Sequence, residues 1–164
     1  MKYKNIIIYG GTSQIALNLI NLYANDCEKI IIFCRNLEKF KKLFNEYNQY
    51  IEKIEILEVD LNNLNKNLEI INEFNHDISG VFWISGFTGN SEVEYENISE
   101  AKTNLNLNFF NPTIIINELS KKLIKKQNSF IVAFTSVAGL RGRKKQLFYS
   151  AAKSGLICYL SGLR

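Results

Sequence analysis

This 164-residue chain has only a single proline, a single histidine and three cysteines, and so is poor in helix-breaking rings, imidazole ligands and cross-linking thiols. Cys27, Cys34 and Cys158 are odd in number, lie in apolar stretches and lack metal-ligand spacing, which excludes a disulfide framework and a zinc site and predicts reduced structural thiols. His76 has no clustered partners, so no metal is expected. No apolar run approaches the roughly 20 residues of a membrane helix, and the first apolar segment is too short for a secretory signal. A cytoplasmic protein without membrane insertion is expected. The net charge is only +4 and the basic residues are dispersed, which argues against nucleic acid as a partner. Repeats, linkers and low-complexity tracts are missing too, beyond a general bias to Asn, Ile and Lys.

What is present is apolar content in alternating blocks. With 46% hydrophobic residues the chain can build one core, and a single domain over 1–164 is expected. Strand-like runs at 4–9, 28–34, 51–59, 78–86 and 129–136 alternate with helical stretches at 14–25, 36–48, 62–75, 97–127 and 146–162. The fourth helical stretch should break near Pro112, which has no N–H to donate. Such alternation predicts an α/β, Rossmann-like doubly wound parallel sheet of strand order 3-2-1-4-5, with helices on both faces and a cofactor across the switch between strands 1 and 4.

Two segments carry chemistry. Tyr149 and Lys153 stand four apart, one helical turn, so the ammonium can lie beside the phenol and favour its ionised form. Free tyrosine ionises at about pH 10, and a neighbouring cation would bring it into use as a proton donor or acceptor. Ser136 closes an apolar run thirteen positions before Tyr149, and its hydroxyl could hold the same substrate oxygen where charge develops. At the other end, the apolar strand ending at Tyr9 runs into Gly10-Gly11-Thr12-Ser13 and then into a helix from Gln14. A glycine turn before a helix lets backbone amides and the helix dipole meet a pyrophosphate, although an ordinary tight turn has the same pattern.

Gly10 to Ala16 together with Ser136, Tyr149 and Lys153 resemble the short-chain dehydrogenase/reductase family over nearly the whole chain. Its Gly-x-x-x-Gly-x-Gly motif falls on Gly10, Gln14 and Ala16, keeping only the first glycine, whereas Ser136 and Tyr149-x-x-x-Lys153 are intact. The resemblance implies an oxidoreductase that moves a hydride between a nicotinamide cofactor and a carbonyl/alcohol substrate. In it Tyr149 is the acid or base, Lys153 its tuner and ribose anchor, Ser136 the carbonyl positioner and Asn108 the support of a proton-relay water. Asn104 and Asn106 compete for that last alignment. Gly10, Thr12, Ser13, Gln14 and Ile15 would hold the pyrophosphate, and Asp60 with Leu61 the adenine end. Asp60 could also cap the following helix. Ser85 and Gly86 would contribute backbone, since the family's Asn-Asn-Ala-Gly reads Trp83-Ile84-Ser85-Gly86 here. Trp83 is either a core residue or a lid on adenosine. The family also implies a homodimer or homotetramer, and a further strand-helix-strand section beyond Arg164, so the sheet is expected to be C-terminally incomplete.

Where the family reads the adenosine ribose, after the second strand, this chain has Cys34-Arg35-Asn36 and no carboxylate. Arg35 suits a phosphate, which predicts NADP(H) ahead of NAD(H), with an unliganded surface arginine as the alternative. Arg141, Arg143, Lys144 and Lys145 lie between Ser136 and Tyr149, either to receive an anionic substrate such as a keto-sugar phosphate or as a solvated loop. A nucleotide-binding protein without turnover, a sensor or scaffold, is the competing reading, prompted by the altered glycine motif.

Overall fold

The computed structural model describes residues 2–163. The chain groups into two compact units, one of residues 1–84 with 118–134, the other of residues 85–117 with 135–164.

The first unit is built on a parallel sheet. Strands β1 (Tyr3–Tyr9), β2 (Cys27–Cys34), β3 (Ile54–Glu58), β4 (Ile78–Trp83) and β5 (Phe130–Ala133) pair in the order β3-β2-β1-β4-β5, as the alternation of blocks predicts. Consecutive side chains of a strand leave on opposite faces, so unbroken isoleucine runs require helices on both. On one face Ile6, Ile8, Ile30, Ile32 and Phe82 share a buried cluster with Ala16, Leu17, Leu19 and Ile20 of helix α1 (Gln14–Tyr23) and with Phe40 and Phe44 of α2 (Leu37–Phe44). On the other, the Tyr9 ring stacks between Phe33 (4.2 Å) and Trp83 (4.6 Å). Helix α3 (Leu64–Glu73) meets this face through the neighbouring Phe74, 6.4 Å from Phe33, and through Asn67, whose Oδ1 lies 3.5 Å from the Tyr9 hydroxyl. Trp83 is fully buried, which places it in the core.

The second unit is helical. It holds α4 (Ser91–Glu96), α5 (Ile98–Leu105), a wide π-type turn at Asn106–Phe110, the start of α6 (Asn111–Leu123), a short 3₁₀ turn at Val137–Gly139 and α7 (Leu147–Gly162).

Several element bounds differ from the sequence expectation, each for a local reason. The third strand begins at Ile54 because Asn45–Lys53 coil into a 3₁₀ helix, whose last residue donates its ammonium to Ala24 O (2.6 Å) and Cys27 O (3.4 Å). Strand β4 stops at Trp83, since its neighbour β1 runs out where Gly10 turns the chain at φ +101°. The third helix starts at Leu64, capped by the Asn63 side chain on Lys66 N (3.0 Å) and not by Asp60. The expected helix over 97–127 is divided. Asn111 N–H bonds to Asn106 O, five residues back, just ahead of Pro112. A proline ring collides with the carbonyl four residues before it in a regular helix, and a widened turn relieves that collision. Among the described residues no helix is long and apolar enough to cross a membrane.

Candidate active site

In the first unit the candidate nucleotide-binding residues gather at the C-terminal ends of β1, β2 and β3. Gly10 and Gly11 N–H both donate to Phe33 O (2.9 and 3.2 Å), tying the turn to the end of β2, and Val59 N donates to Cys34 O (2.8 Å), tying in β3. Gly11 must be a glycine, because a Cβ there would overlap Ile32 Cγ2. Ser13 caps α1, its Oγ accepting from Ala16 N (3.1 Å). The next amides, those of Gln14 and Ile15, open the helix and have no acceptor within it, and the first turn carries no acidic side chain. Donors and the positive end of the helix dipole therefore coincide with half-buried Thr12 and Ser13, a donor set whose chemistry fits a phosphate. Gln14 is exposed at the first helical position, and Ala16, in place of the last motif glycine, is wholly buried with its methyl in the core.

Arg35 is exposed and pairs with no carboxylate among the described residues. Asp60 turns its carboxylate onto its own loop, accepting from Asn62 N (3.0 Å) and Asn62 Nδ2 (3.1 Å). Buried Asn67 holds the same loop by donating to Asp60 O (2.8 Å). Half-buried Leu61 follows it. Tyr9 thus contacts the Asp60–Leu61 turn indirectly, through Asn67, a link that no sequence motif announces.

The proposed catalytic residues lie together in the second unit. Tyr149 and Lys153 occupy successive turns of α7, with Lys153 Nζ 5.7 Å from the centre of the tyrosine ring. Tyr149 is half-buried; Lys153 is 2% exposed, and burial lowers its ammonium to about 8. Ser136 caps the 3₁₀ turn, its Oγ accepting from Ala138 N (3.1 Å), so the hydroxyl proton points elsewhere and is left to donate. Gly139 sets that turn against α7: a Cβ on it would lie 2.9 Å from the Lys153 carbonyl carbon and 3.0 Å from Ser154 N. Ser136 and Lys153 are therefore held by one close backbone contact.

Of the three competing asparagines, Asn106 is exposed while Asn104 and Asn108 are fully buried. Asn108 grips the loop after β4 in a reciprocal pair, Oδ1 accepting from Phe87 N (3.0 Å) and Nδ2 donating to Phe87 O (2.6 Å). Half-buried Ser85 and exposed Gly86 precede that clamp. A Cβ on Gly86 would sit 3.2 Å from Lys153 Nζ and 3.5 Å from Asn108 Oδ1, so glycine here leaves room for the ammonium and the amide oxygen to approach the same backbone. Asn104 Nδ2 in turn donates to Glu94 Oε1 (2.6 Å) and Thr88 O (3.3 Å). Glu94 carries no sequence signal: Glu92, Glu94 and Glu96 alternate along one short helix, and only the middle one is buried.

A phenol, a second hydroxyl and a buried ammonium are the groups that proton transfer to a carbonyl oxygen calls for. A search of curated proteins found no match. Among solved structures, serine dehydrogenase from Escherichia coli is 16% identical with a TM-score of 0.83, over 98% of this chain and 74% of that one. A variant of actinorhodin polyketide ketoreductase with NADPH is 15% identical with a TM-score of 0.84, over 98% of this chain and 63% of that one. A 4-hydroxyisoleucine dehydrogenase complexed with NADH and succinate is 20% identical with a TM-score of 0.78, over 93% and 68%. At such identities the likeness speaks for the fold, and the chain spans about two thirds of the length of these structures. The sequence model of the short chain dehydrogenases matches residues 4–164, and the chain belongs to that family.

Proposed function

We propose that this protein is an NADP(H)-dependent oxidoreductase acting on a carbonyl/alcohol pair. The observation that carries the reading is the buried Lys153 ammonium one turn from the Tyr149 ring, beside the Gly86 backbone and the Asn108 amide. A nicotinamide cofactor, when bound, would supply the hydride chemistry. In the reducing direction Tyr149 gives its phenolic proton to the carbonyl oxygen, and Ser136 donates a hydrogen bond to that same oxygen as charge gathers on it. Lys153, positively charged below about pH 8, opposes the negative charge left on the phenol. Asn108 keeps the loop of Ser85 and Gly86 in place through Phe87. The amides of Gln14 and Ile15 with Thr12 and Ser13 would hold the pyrophosphate, and the Asp60–Leu61 turn would take the adenine end.

Arg35 supports the choice of NADP(H), since a planar cation without a carboxylate partner matches a ribose phosphate. NADPH is expected to bind about tenfold or more tightly than NADH, with Arg35→Ala removing most of the difference, as loss of one charge-assisted contact would give. Titration of both reduced cofactors by fluorescence measures this, and equal or tighter NADH binding refutes the preference. Retained NADPH binding with no oxidation across a broad panel of ketones and keto-sugars would instead favour the sensor or scaffold reading.

The substrate class follows from the loop ahead of α7. Arg141, Arg143, Lys144 and Lys145 are exposed and form no ion pair among the described residues. Arg143 N donates to Ser150 Oγ (3.2 Å), which anchors the loop beside Tyr149. A sugar phosphate or nucleotide sugar suits that charge. Replacing Arg143 and Lys144 with alanine should raise KM for an anionic keto-sugar about tenfold with kcat held, the pattern of lost ground-state binding. An unchanged KM removes the anionic class.

A further inference from the structure

Glu94 is 3% exposed, and its Oε2 is buried without a hydrogen-bond partner among the described residues. A buried carboxylate with one orphan oxygen costs stability, so the oxygen that does bond calls for an account. That oxygen, Oε1, accepts from Asn104 Nδ2 at 2.6 Å. Side-chain amides are two-faced, donor on one side and acceptor on the other, and can reverse when their surroundings permit. A carboxylate accepts only. Together with the weaker acceptor Thr88 O (3.3 Å), it turns the Asn104 NH₂ towards Glu94 and its Oδ1 towards Asn108, where Asn108 Nδ2 donates to it at 2.7 Å. Asn108 Nδ2 also donates to Phe87 O (2.6 Å) and Asn104 O (3.0 Å), and its oxygen faces Phe87 N, next to Gly86 and Lys153 Nζ, so Asn104 Oδ1 adds a further acceptor to an amide already turned this way. The loop is shaped to the same pair: Gly89 has φ +70°, and a Cβ there would overlap Glu94 Oε1.

We propose that Glu94 is a positioning residue for the redox site, an acceptor-only group that sets the amide polarity of Asn104, so that Asn104 presents its oxygen to Asn108 Nδ2 and braces the Asn108 clamp on the loop beside Lys153. The inference rests on the functional reading above. Reversal of Asn104 would set its NH₂ against that of Asn108, and the carboxylate denies that arrangement. A glutamine at 94 would not, because its own NH₂ can serve a reversed Asn104.

The experiment compares the 164-residue protein with Glu94→Gln and Glu94→Ala by hydrogen exchange in NMR, alongside thermal melting, NADPH affinity and turnover. Glu94→Gln should speed exchange at the Phe87 backbone amide and the Asn108 side-chain amide at least tenfold, with the melting temperature unchanged or raised. NADPH affinity should stay the same while kcat falls about tenfold. Glu94→Ala should show the same local loss with a lower melting temperature. Wild-type exchange at both amides in Glu94→Gln overturns the proposal. So does a glutamine variant that fails to fold or loses protection throughout residues 85–117 and 135–163, since Glu94 would then only be holding the fold. A wild-type protein without turnover on any substrate defeats the oxidoreductase reading alone, and the exchange rates still decide the role of Glu94.

Discussion

Tyr149→Phe should reduce kcat by ~10³-fold or more, about 4 kcal/mol of barrier, while leaving the NADPH dissociation constant within about threefold of wild type. The substitution removes one oxygen and keeps the ring. The cation–ring contact with Lys153 at 5.7 Å therefore persists, as does the packing of this half-buried side chain on α7. Nothing that would bind the cofactor's pyrophosphate or adenine end is touched, because Gly10, Thr12, Ser13, Arg35 and Asp60 belong to the first unit. Only the proposed proton donor is lost. Steady-state kinetics with a carbonyl substrate and a fluorescence titration of NADPH separate the two quantities. Turnover within tenfold of wild type would remove Tyr149 from the chemistry.

Lys153→Met should have an effect of comparable weight on stability, and of opposite sign to most core substitutions. Burial holds the native ammonium near pH 8, against 10.5 for an unburied lysine. Between those values the unfolded chain keeps a proton that the native chain has released, so wild-type stability rises with pH through the window and levels off above it. The total rise is about 3 kcal/mol. Below about pH 8 both states carry the charge, and the native state bears the net cost that the lowered value expresses. Methionine, similar in length and uncharged, has no such cost. The variant should therefore be more stable than wild type at pH 7 by about 3 kcal/mol, with the advantage fading to nothing by about pH 10.5. Cys27, whose thiol burial pushes up to about 11, acts in the opposite sense over the alkaline range, but it is common to both proteins and drops out of the difference. Denaturant midpoints across pH measure this, and parallel curves for the two proteins would show that Lys153 is not titrating from a dry site. Turnover should fall in the same variant, which would make Lys153 a residue kept at a stability cost.

Much of this protein is legible one segment at a time. Runs such as Ile6-Ile7-Ile8 and Ile30-Ile31-Ile32 are apolar at every position, and only a strand covered on both faces buries all of them. The strand order follows from alternation with helices, and Tyr149 and Lys153 share a helix face by spacing alone. The ends of elements are less legible. Nothing in Ile51 to Lys53 says that a lysine will bond back to Ala24 and Cys27 and delay β3, and nothing near Asn106 states that Pro112 will widen the turn before it.

The candidate site divides along the same line. Local order along the chain was enough for the parallel sheet, the glycine turn and the Ser136, Tyr149 and Lys153 triple, because each depends on residues close in sequence or on a repeating period. Tertiary packing alone decided which of Asn104, Asn106 and Asn108 grips the loop of Gly86, that Glu94 lies buried between two exposed glutamates, and that Gly86 and Gly139 closely approach Lys153 and the backbone of α7. The physical reason is that an amide or a carboxylate takes its role from the donors and acceptors around it, and those neighbours come from loops and helices distant in the chain.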